Sequence, residues 1–104
     1  MAALPVQTDG SLGEATSFVQ HEGSSVNPKR QKAPYAHSIV ISPDNRFALA
    51  ADLGIDKVLI YRLDAATSKL EVNDAQPSVS AEPGSGPRHL TFHPNGKSVY
   101  LINE

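Results

Sequence analysis

Residues 37–52 read HSIVISPDNRFALAAD, and residues 88–103 read RHLTFHPNGKSVYLIN. When the chain is moved along itself by 51 residues, the two stretches coincide and Pro43 falls on Pro94. Each stretch has two short runs of β-branched, aromatic or other apolar residues on either side of a Pro-containing turn. Runs of this kind predict β-strands, and their recurrence predicts two antiparallel hairpins of the same shape.

The turn of each hairpin has a composition signal of its own. Pro43 and Pro94 precede an Asp and an Asn, and the next residue is Asn45 in the first turn and Gly96 in the second. Asn and Gly tolerate positive φ angles better than other residues, and tight hairpin turns require such angles. We therefore expect a left-handed backbone at Asn45 and Gly96.

Short strands are predicted along most of the chain, and no stretch has the periodicity and caps of a helix. The clearest strands are residues 38–41, 47–51, 58–61, 90–92 and 98–102. A repeat of 51 residues made of strands is typical of β-propeller blades. The sequence therefore predicts an all-β fold of four-stranded antiparallel blades. Kelch and WD repeats have similar lengths, but the chain has no Trp and no Gly-Gly pair, which argues against both.

The repeat divides the chain into three parts. Residues 1–35 hold the end of one blade and a rim loop, residues 36–86 one complete blade with its connecting loop, and residues 87–104 the first two strands of the next blade. Outside the two hairpins, strands are expected within residues 1–6, 17–21, 57–63 and, weakly marked, 70–81. Because stacked blades bury apolar surface only against their neighbours, we expect a piece of about two blades from a larger propeller, which self-associates through exposed blade edges.

The composition is that of a globular unit, since 39% of the 104 residues are hydrophobic and 19% are charged. The net charge of -2 provides no broad cationic surface, so neither nucleic acid nor a membrane is expected as a partner. The absence of Cys excludes disulfides, thiolate metal sites and Cys nucleophiles. The first residues lack the basic and apolar regions of a signal peptide, which predicts a cytoplasmic protein.

Five short motifs surround the two hairpins. They are Pro34-Tyr35-Ala36-His37-Ser38, Ala51-Asp52-Leu53-Gly54, Gly86-Pro87-Arg88-His89, His93-Pro94-Asn95-Gly96 and Asn103-Glu104. In this order they resemble the lactonase family of seven-bladed β-propellers, which contains 6-phosphogluconolactonases and fungal carboxymuconate cyclases. The resemblance covers essentially the whole chain and implies hydrolysis of a sugar lactone, a small lactone or carboxylate substrate, and no cofactor. Lactone formation by a cyclase and a non-catalytic binding propeller remain as alternatives.

The same resemblance implies a candidate active site. In the cyclases of the family, the site is assigned to a His, two Arg and a Glu, and the motifs place these at His37, Arg88 and Glu104. No residue of the chain matches the second Arg, so the site is expected to be incomplete. Strand geometry points the same way, because His37 and Arg88 begin equivalent strands and Glu104 follows the second strand of an antiparallel pair. All three side chains are expected at one rim.

The repeat also indicates whether the blade fold itself requires these residues. Glu104 is matched by Leu53 and Arg88 by His37, so the fold does not require them. A structural alternative for Arg88 and Glu104 is a cross-strand ion pair. For His37 the corresponding alternative is a hydrogen bond to a rim loop.

The remaining histidines and the acidic turn are interpreted as structural. His89 is expected to point away from Arg88 because side chains alternate along a strand, and His93 aligns with Ser42 beside the turn. The histidines lack the spacing of a metal site, so no metal is expected. In residues 52–56 the Gly comes too early for a calcium loop, which favours a turn that joins two strands.

Overall fold

The structure is a computed structural model that describes residues 1–104. It contains nine β-strands and no helix, which confirms the predicted all-β class. The strands are β1 (Ala2–Ala3), β2 (Ser17–Phe18), β3 (Ala36–Ile41), β4 (Phe47–Asp52), β5 (Lys57–Asp64), β6 (Lys69–Val72), β7 (Ser78–Ser80), β8 (Pro87–Phe92) and β9 (Val99–Asn103). They form three sheets, β1–β2, a central sheet of β3 to β7, and β8–β9. With no helix present, none is available to cross a membrane.

The central sheet is the largest of the three, with five strands. β3, β4 and β5 lie side by side, and the fourth position is shared by β6 and β7, which both pair with β5. The single outer strand predicted within residues 70–81 is therefore divided in two. Gln76 donates its N–H to the carbonyl of Asn73 and closes a turn, and Pro77 has no N–H to offer to the sheet. The chain consequently leaves the sheet between β6 and β7.

The turns of the two repeated hairpins have the predicted conformation. The φ angle is 58° at Asn45 and 70° at Gly96, so both residues are left-handed. In the first turn, Ser42 Oγ donates to Asp44 Oδ1 over 2.6 Å and accepts the N–H of Phe47 over 2.9 Å. These local bonds satisfy polar groups that the turn leaves outside the sheet.

β3 and β8 share a second feature, a register shift near their starts. The residue at the shift, His37 in β3 and Arg88 in β8, has no partner opposite it, whereas the residues on both sides of it are paired. A β-bulge of this kind bends the strand and re-aims a side chain. The repeated bulge, which the sequence pattern did not predict, therefore lies at two of the three candidate site residues.

β4 lies at the centre of the packing because its small side chains let neighbouring sheets approach from both faces. Ala48 and Ala50 are fully buried on one face, where Met1 packs against their cluster. Ala51 is fully buried on the other face and packs with Leu90 of β8. This close packing of one sheet between two others fixes where the next hairpin lies.

β9 leaves most of its surface uncovered. All five of its residues are exposed, among them Tyr100 and Ile102. One edge of the strand is also unpaired, since β9 hydrogen-bonds only to β8. An unpaired apolar edge can bind another chain, so the self-association expected from the sequence has a surface available here and stays a prediction.

Two loops meet at the end of the sheets where β3 and β8 begin. Residues 19–35, between β2 and β3, are the first rim loop, and residues 81–86, between β7 and β8, are the second rim loop. Both contact the turn of residues 52–56, which joins β4 to β5. The predicted role of that turn as a strand connection is confirmed.

Candidate functional site

His37 and Arg88 lie side by side at the rim where β3 and β8 begin. Arg88 donates a hydrogen bond from Nε to Nε2 of His37 over 3.2 Å. Both side chains are exposed to solvent. The structure thus brings together the two residues that the repeat places at equivalent positions.

The contact with Arg88 also shows which nitrogen of the His37 ring accepts a hydrogen bond. A guanidinium can only donate hydrogen bonds, so Nε2 of His37 is the acceptor in this contact. Arg88 donates only through Nε in this bond, and its two terminal nitrogens remain available for a planar contact with an anion.

Glu104 reaches the same rim from the end of β9. Its N–H donates to the carbonyl of Gly86 over 2.9 Å, directly before β8. Its carboxylate accepts two hydrogen bonds at Oε2, from Nε of Arg30 at 2.9 Å and from Nη2 of Arg30 at 2.5 Å. The cross-strand ion pair with Arg88 that the sequence left open is not formed, because the first rim loop brings Arg30 to Glu104 instead.

Positive charge surrounds the Glu104 carboxylate. The hydrogen bond from Arg30 is the main cause that holds the pKa of Glu104 below its usual range. Burial acts in the opposite direction, and the charges of Arg30 and Arg88, with a contribution from His37, add to the lowering. All three predicted site residues therefore lie within electrostatic reach of one another, and Glu104 is a carboxylate at neutral pH.

The first rim loop holds Arg30 through hydrogen bonds to its own backbone. Asn27 Oδ1 accepts the N–H groups of Lys29 over 3.0 Å and Arg30 over 3.2 Å. Gln31 is only 1% exposed, and its side chain accepts the N–H of Asn27 and donates to the carbonyl of Leu53, both over 2.9 Å. The backbone is thereby held on both sides of Arg30, so the loop needs no further ordering when the guanidinium binds Glu104.

Asp56, in the turn between β4 and β5, ties the two rim loops together. Its carboxylate accepts Ser25 Oγ of the first loop over 2.5 Å, and the N–H groups of Gly84 and Gly86 of the second loop over 2.7 and 2.8 Å. Burial raises the pKa of Asp56, but these hydrogen bonds, together with a smaller contribution from Gln31, outweigh burial and hold the pKa below its usual range. Ionised Asp56 thus aligns the loop that carries Arg30 with the loop that binds Glu104.

Asp52 supports the approach to His37 in a similar way. It is completely buried, and Oδ1 accepts the N–H groups of Tyr35 over 2.7 Å and Gly54 over 3.0 Å. Gly54 allows the loop to come close, since a Cβ there would lie 1.9 Å from the carbonyl oxygen of Ala33. Any side chain at this position would push away the segment that leads into β3. The turn of residues 52–56 is therefore the support of the rim.

The comparison with known families covers the whole chain. Residues 1–104 match the family described as Lactonase, 7-bladed beta-propeller. The chain belongs to this lactonase family. The propeller fold predicted from the repeat is thereby confirmed, and so is the resemblance found in the motifs.

Individual lactonase relatives are similar over nearly all of this chain. The 6-phosphogluconolactonase of Bacillus subtilis is 40% identical over 101 residues, which are 97% of this chain and 27% of the relative. The 6-phosphogluconolactonase of Pectobacterium carotovorum is 41% identical over 105 residues, 100% of this chain and 27% of the relative. A solved structure described as the periplasmic gluconolactonase of Pseudomonas aeruginosa aligns with a TM-score of 0.88 and 43% identity, over 99% of this chain and 28% of that one. The chain thus spans little more than a quarter of the length of these lactonases.

His89 lies closer to the candidate lactonase site than strand alternation predicts. Its ring centroid is 4.9 Å from that of His37, and the two rings meet edge to face. The bulge at Arg88 interrupts the alternation, so Arg88 and His89 both contact His37. The expectation that His89 points away from the site was wrong for this reason. His93, by contrast, accepts a backbone N–H inside its own turn, as a structural histidine does.

Arg30 is the member of this candidate site that the sequence did not reveal. It lies in a polar loop between Lys29 and Lys32, and composition does not distinguish it from these basic neighbours. Loops have no periodicity from which the direction of a side chain can be predicted.

The cavities of the chain differ in their relation to this rim. A cavity of about 90 Å³ adjoins Arg30 and Glu104, and its other lining residues are Asn27, Gln31, Leu53, Gly84, Ser85 and Gly86. A larger cavity, about 380 Å³, lies between the two hairpin turns, at the opposite end of β3 and β8. No group of three His, Asp or Glu side chains is placed to hold a metal ion. The absence of cofactors expected from the sequence stays a prediction.

Proposed function

We propose that residues 1–104 form one side of the active site of a lactonase, which hydrolyses an anionic sugar lactone within a complete seven-bladed propeller. The observation that carries the proposal is the convergence of His37, Arg88 and Glu104 from different strands at one rim, with Arg88 hydrogen-bonded to His37 over 3.2 Å. The names of the Bacillus subtilis and Pectobacterium carotovorum relatives, both 6-phosphogluconolactonases, support a phosphorylated sugar lactone as the substrate.

Arg88 has the chemistry of an anion-binding residue. Its terminal nitrogens form a planar fork, which suits a carboxylate, a phosphate or the carbonyl oxygen of a lactone as it becomes negatively charged. The bond to His37 restricts the rotation of this fork. In the proposal, Arg88 holds the substrate or stabilises the tetrahedral intermediate.

Lactone hydrolysis also requires a proton to move. The oxygen of water forms a bond to the carbonyl carbon, the bond between that carbon and the ring oxygen breaks, and the proton lost by water ends on the ring oxygen. Glu104 and His37 are the ionisable groups near Arg88 that can accept and return this proton. Both are exposed at the rim, where water and substrate reach them.

The proposal includes a cytoplasmic location for the protein. The sequence predicts a cytoplasmic protein, whereas the Pseudomonas aeruginosa relative is described as periplasmic. Lactonase chemistry as proposed does not depend on the compartment, because it requires neither a disulfide nor a redox partner.

The decisive variant is Glu104→Gln in a complete propeller that contains residues 1–104. Gln keeps the shape of Glu but cannot accept a proton from water, so we expect kcat for 6-phosphogluconolactone hydrolysis to fall by about 10²–10⁴-fold. Arg88→Lys keeps the charge but loses the fork, so both kcat and KM are expected to worsen. Steady-state kinetics and the melting temperature of each variant provide the measurement.

Glu82→Gln is the matched control, because Glu82 is an exposed acid of the second rim loop. It is expected to keep full turnover. Unchanged hydrolysis in Glu104→Gln, with a lowered Tm, would reject the catalytic assignment. Lactone formation from an unsaturated diacid in place of hydrolysis would favour the cyclase alternative, and activity toward neither substrate would favour a binding propeller.

A further inference from the structure

The contact between Arg30 and Glu104 is asymmetric. Two nitrogens of Arg30, Nε and Nη2, donate to the same oxygen of Glu104, Oε2, at 2.9 and 2.5 Å. No hydrogen bond to Oε1 is formed. One carboxylate oxygen is therefore held in place, while the other is free to accept a proton or a hydrogen bond from a small molecule at the rim.

The charged and titratable groups that face Glu104 come from each of the elements packed around it. They are Arg30 of the first rim loop, Arg88 of β8 and His37 of β3. None of them is an acid, so the neighbouring charges favour the ionised carboxylate. The lowered pKa of Glu104 agrees with this arrangement.

The loop backbone that carries Arg30 is held in place by hydrogen bonds. Gln31 and Asn27 fix the loop backbone, and Asp56 fixes the loop to the turn through Ser25. The second rim loop, which binds the N–H of Glu104 through Gly86, is held by the same carboxylate. Arg30 and Glu104 therefore keep a defined position relative to each other although both side chains are partly exposed.

We infer that Arg30 is a positioning residue that holds Glu104 as a carboxylate through Oε2 and leaves Oε1 to act as the general base. The inference rests on the lactone hydrolysis proposed above. Water gives a proton to Oε1 as its oxygen bonds to the lactone carbonyl carbon, and the proton passes to the ring oxygen when the ring opens. Arg30 takes no part in bond formation.

This role of Arg30 favours lactone hydrolysis over the cyclase reaction. A general acid that protonates carbon, as the cyclase alternative requires, must carry a proton before the reaction starts. A carboxylate held by two N–H donors of a guanidinium carries none. The pairing with Arg30 therefore suits Glu104 to activate water and opposes its use as a proton donor.

The test compares Arg30→Gln and Arg30→Lys in the complete propeller, with kcat and KM for 6-phosphogluconolactone measured from pH 4 to 7. For Arg30→Gln we expect kcat at pH 7 to fall about tenfold through lost positioning, with KM within about twofold. The acidic limb of its kcat–pH profile is expected about one pH unit higher than in the parent protein, because the positive charge of Arg30 is gone. Arg30→Lys is expected to keep the acidic limb of the parent protein but not its kcat, since Lys keeps the charge and loses the planar fork.

Lys29→Gln removes one positive charge from the same loop without touching Glu104, and neither kcat nor the acidic limb is expected to change. An unmoved limb in Arg30→Gln, or a raised KM with unchanged kcat, would overturn the inference. If Glu104→Gln retains turnover, the proposed function fails instead. Titration of the Glu104 carboxyl by ¹³C NMR gives a readout without substrate, and its pKa should be higher in Arg30→Gln than in the parent protein.

Discussion

The two hairpins of the repeat have the same backbone but end in different surroundings. β3–β4 and β8–β9 share the left-handed turn residue and the bulge at the start of the first strand. β4 ends in the buried Asp52 and is followed by the buried Leu53, whereas the matching residues at the end of β9, Asn103 and Glu104, are exposed. The shared backbone is therefore a scaffold, and the residues at the strand ends separate structural support from the candidate chemistry.

The contacts of each strand end explain the difference. Asp52 lies beneath the first rim loop and satisfies N–H groups that would otherwise be buried without a partner. Glu104 lies at the surface, where its carboxylate meets only Arg30 and keeps one oxygen unbound. The Asp52 carboxylate thus stabilises the fold, whereas the Glu104 carboxylate is left available for a reaction.

The largest loss of stability is expected when the buried carboxylate at the end of β4 is removed. Asp52→Ala leaves the N–H groups of Tyr35 and Gly54 without an acceptor, and removes the oxygen that lies 2.5 Å from Nδ1 of His21. We expect the free energy of unfolding of the complete propeller to fall by about 3–5 kcal/mol. Asn103→Ala, the matched control, should change it by less than about 0.5 kcal/mol. Urea unfolding measures both, and similar losses would contradict the distinction between the two ends.

A smaller loss of stability is expected at Asp56, which binds the second rim loop, the segment that leads into β8. Asp56→Asn replaces an ionised acceptor of three hydrogen bonds, so the free energy of unfolding at pH 7 should fall by about 1–3 kcal/mol. Because the pKa of Asp56 is lowered by folding, its contribution is fully present above the unfolded value and is lost as the pH falls through the folded one.

Unfolding curves between pH 2.5 and 7 test this dependence. The parent protein should lose stability below about pH 4, and part of that loss should be missing in Asp56→Asn. Asp74→Asn, at an exposed acid between β6 and β7, serves as the control and should keep the parent's pH dependence. A steeper acid loss in Asp56→Asn than in the parent would show that Asp56 is not held ionised by its loop donors.

The smallest effect is expected at the turns, where the two hairpins are most alike. Asn45→Gly and Gly96→Asn exchange the two left-handed residues, and each should change the unfolding free energy by less than about 1 kcal/mol. Gly96→Val should cost more, about 1–2 kcal/mol, because a β-branched residue resists positive φ. The space around Gly96 is open, with Pro43 Cγ at 4.0 Å as the nearest atom to an added Cβ. A large loss in either exchange would mean that the turns are not equivalent.

The sequence was sufficient where local patterns determine structure. The apolar runs predicted the strands of both hairpins, and Asn45 and Gly96 marked the left-handed positions. The repeat placed His37 beside Arg88, since equivalent positions in stacked blades are neighbours in space. The resemblance of the motifs predicted the lactonase family.

Several features of the rim escaped the sequence because long-range contacts decide them. The bulges at His37 and Arg88 interrupt strand alternation, which is why His89 was misplaced. The partner of Glu104 lies 74 residues away in a loop without periodicity, so Arg30 could not be distinguished from its basic neighbours.

By itself, the sequence determined the all-β class, the hairpin turns, the repeat and the set of polar residues at strand starts and ends, because these depend on apolar alternation and on the φ preferences of single residues. Only the tertiary structure decided that Asp52 and Asp56 are buried supports, and that Glu104 is an exposed carboxylate paired with Arg30. Burial and pairing depend on which distant loops fold over a strand end, and no local pattern contains that information.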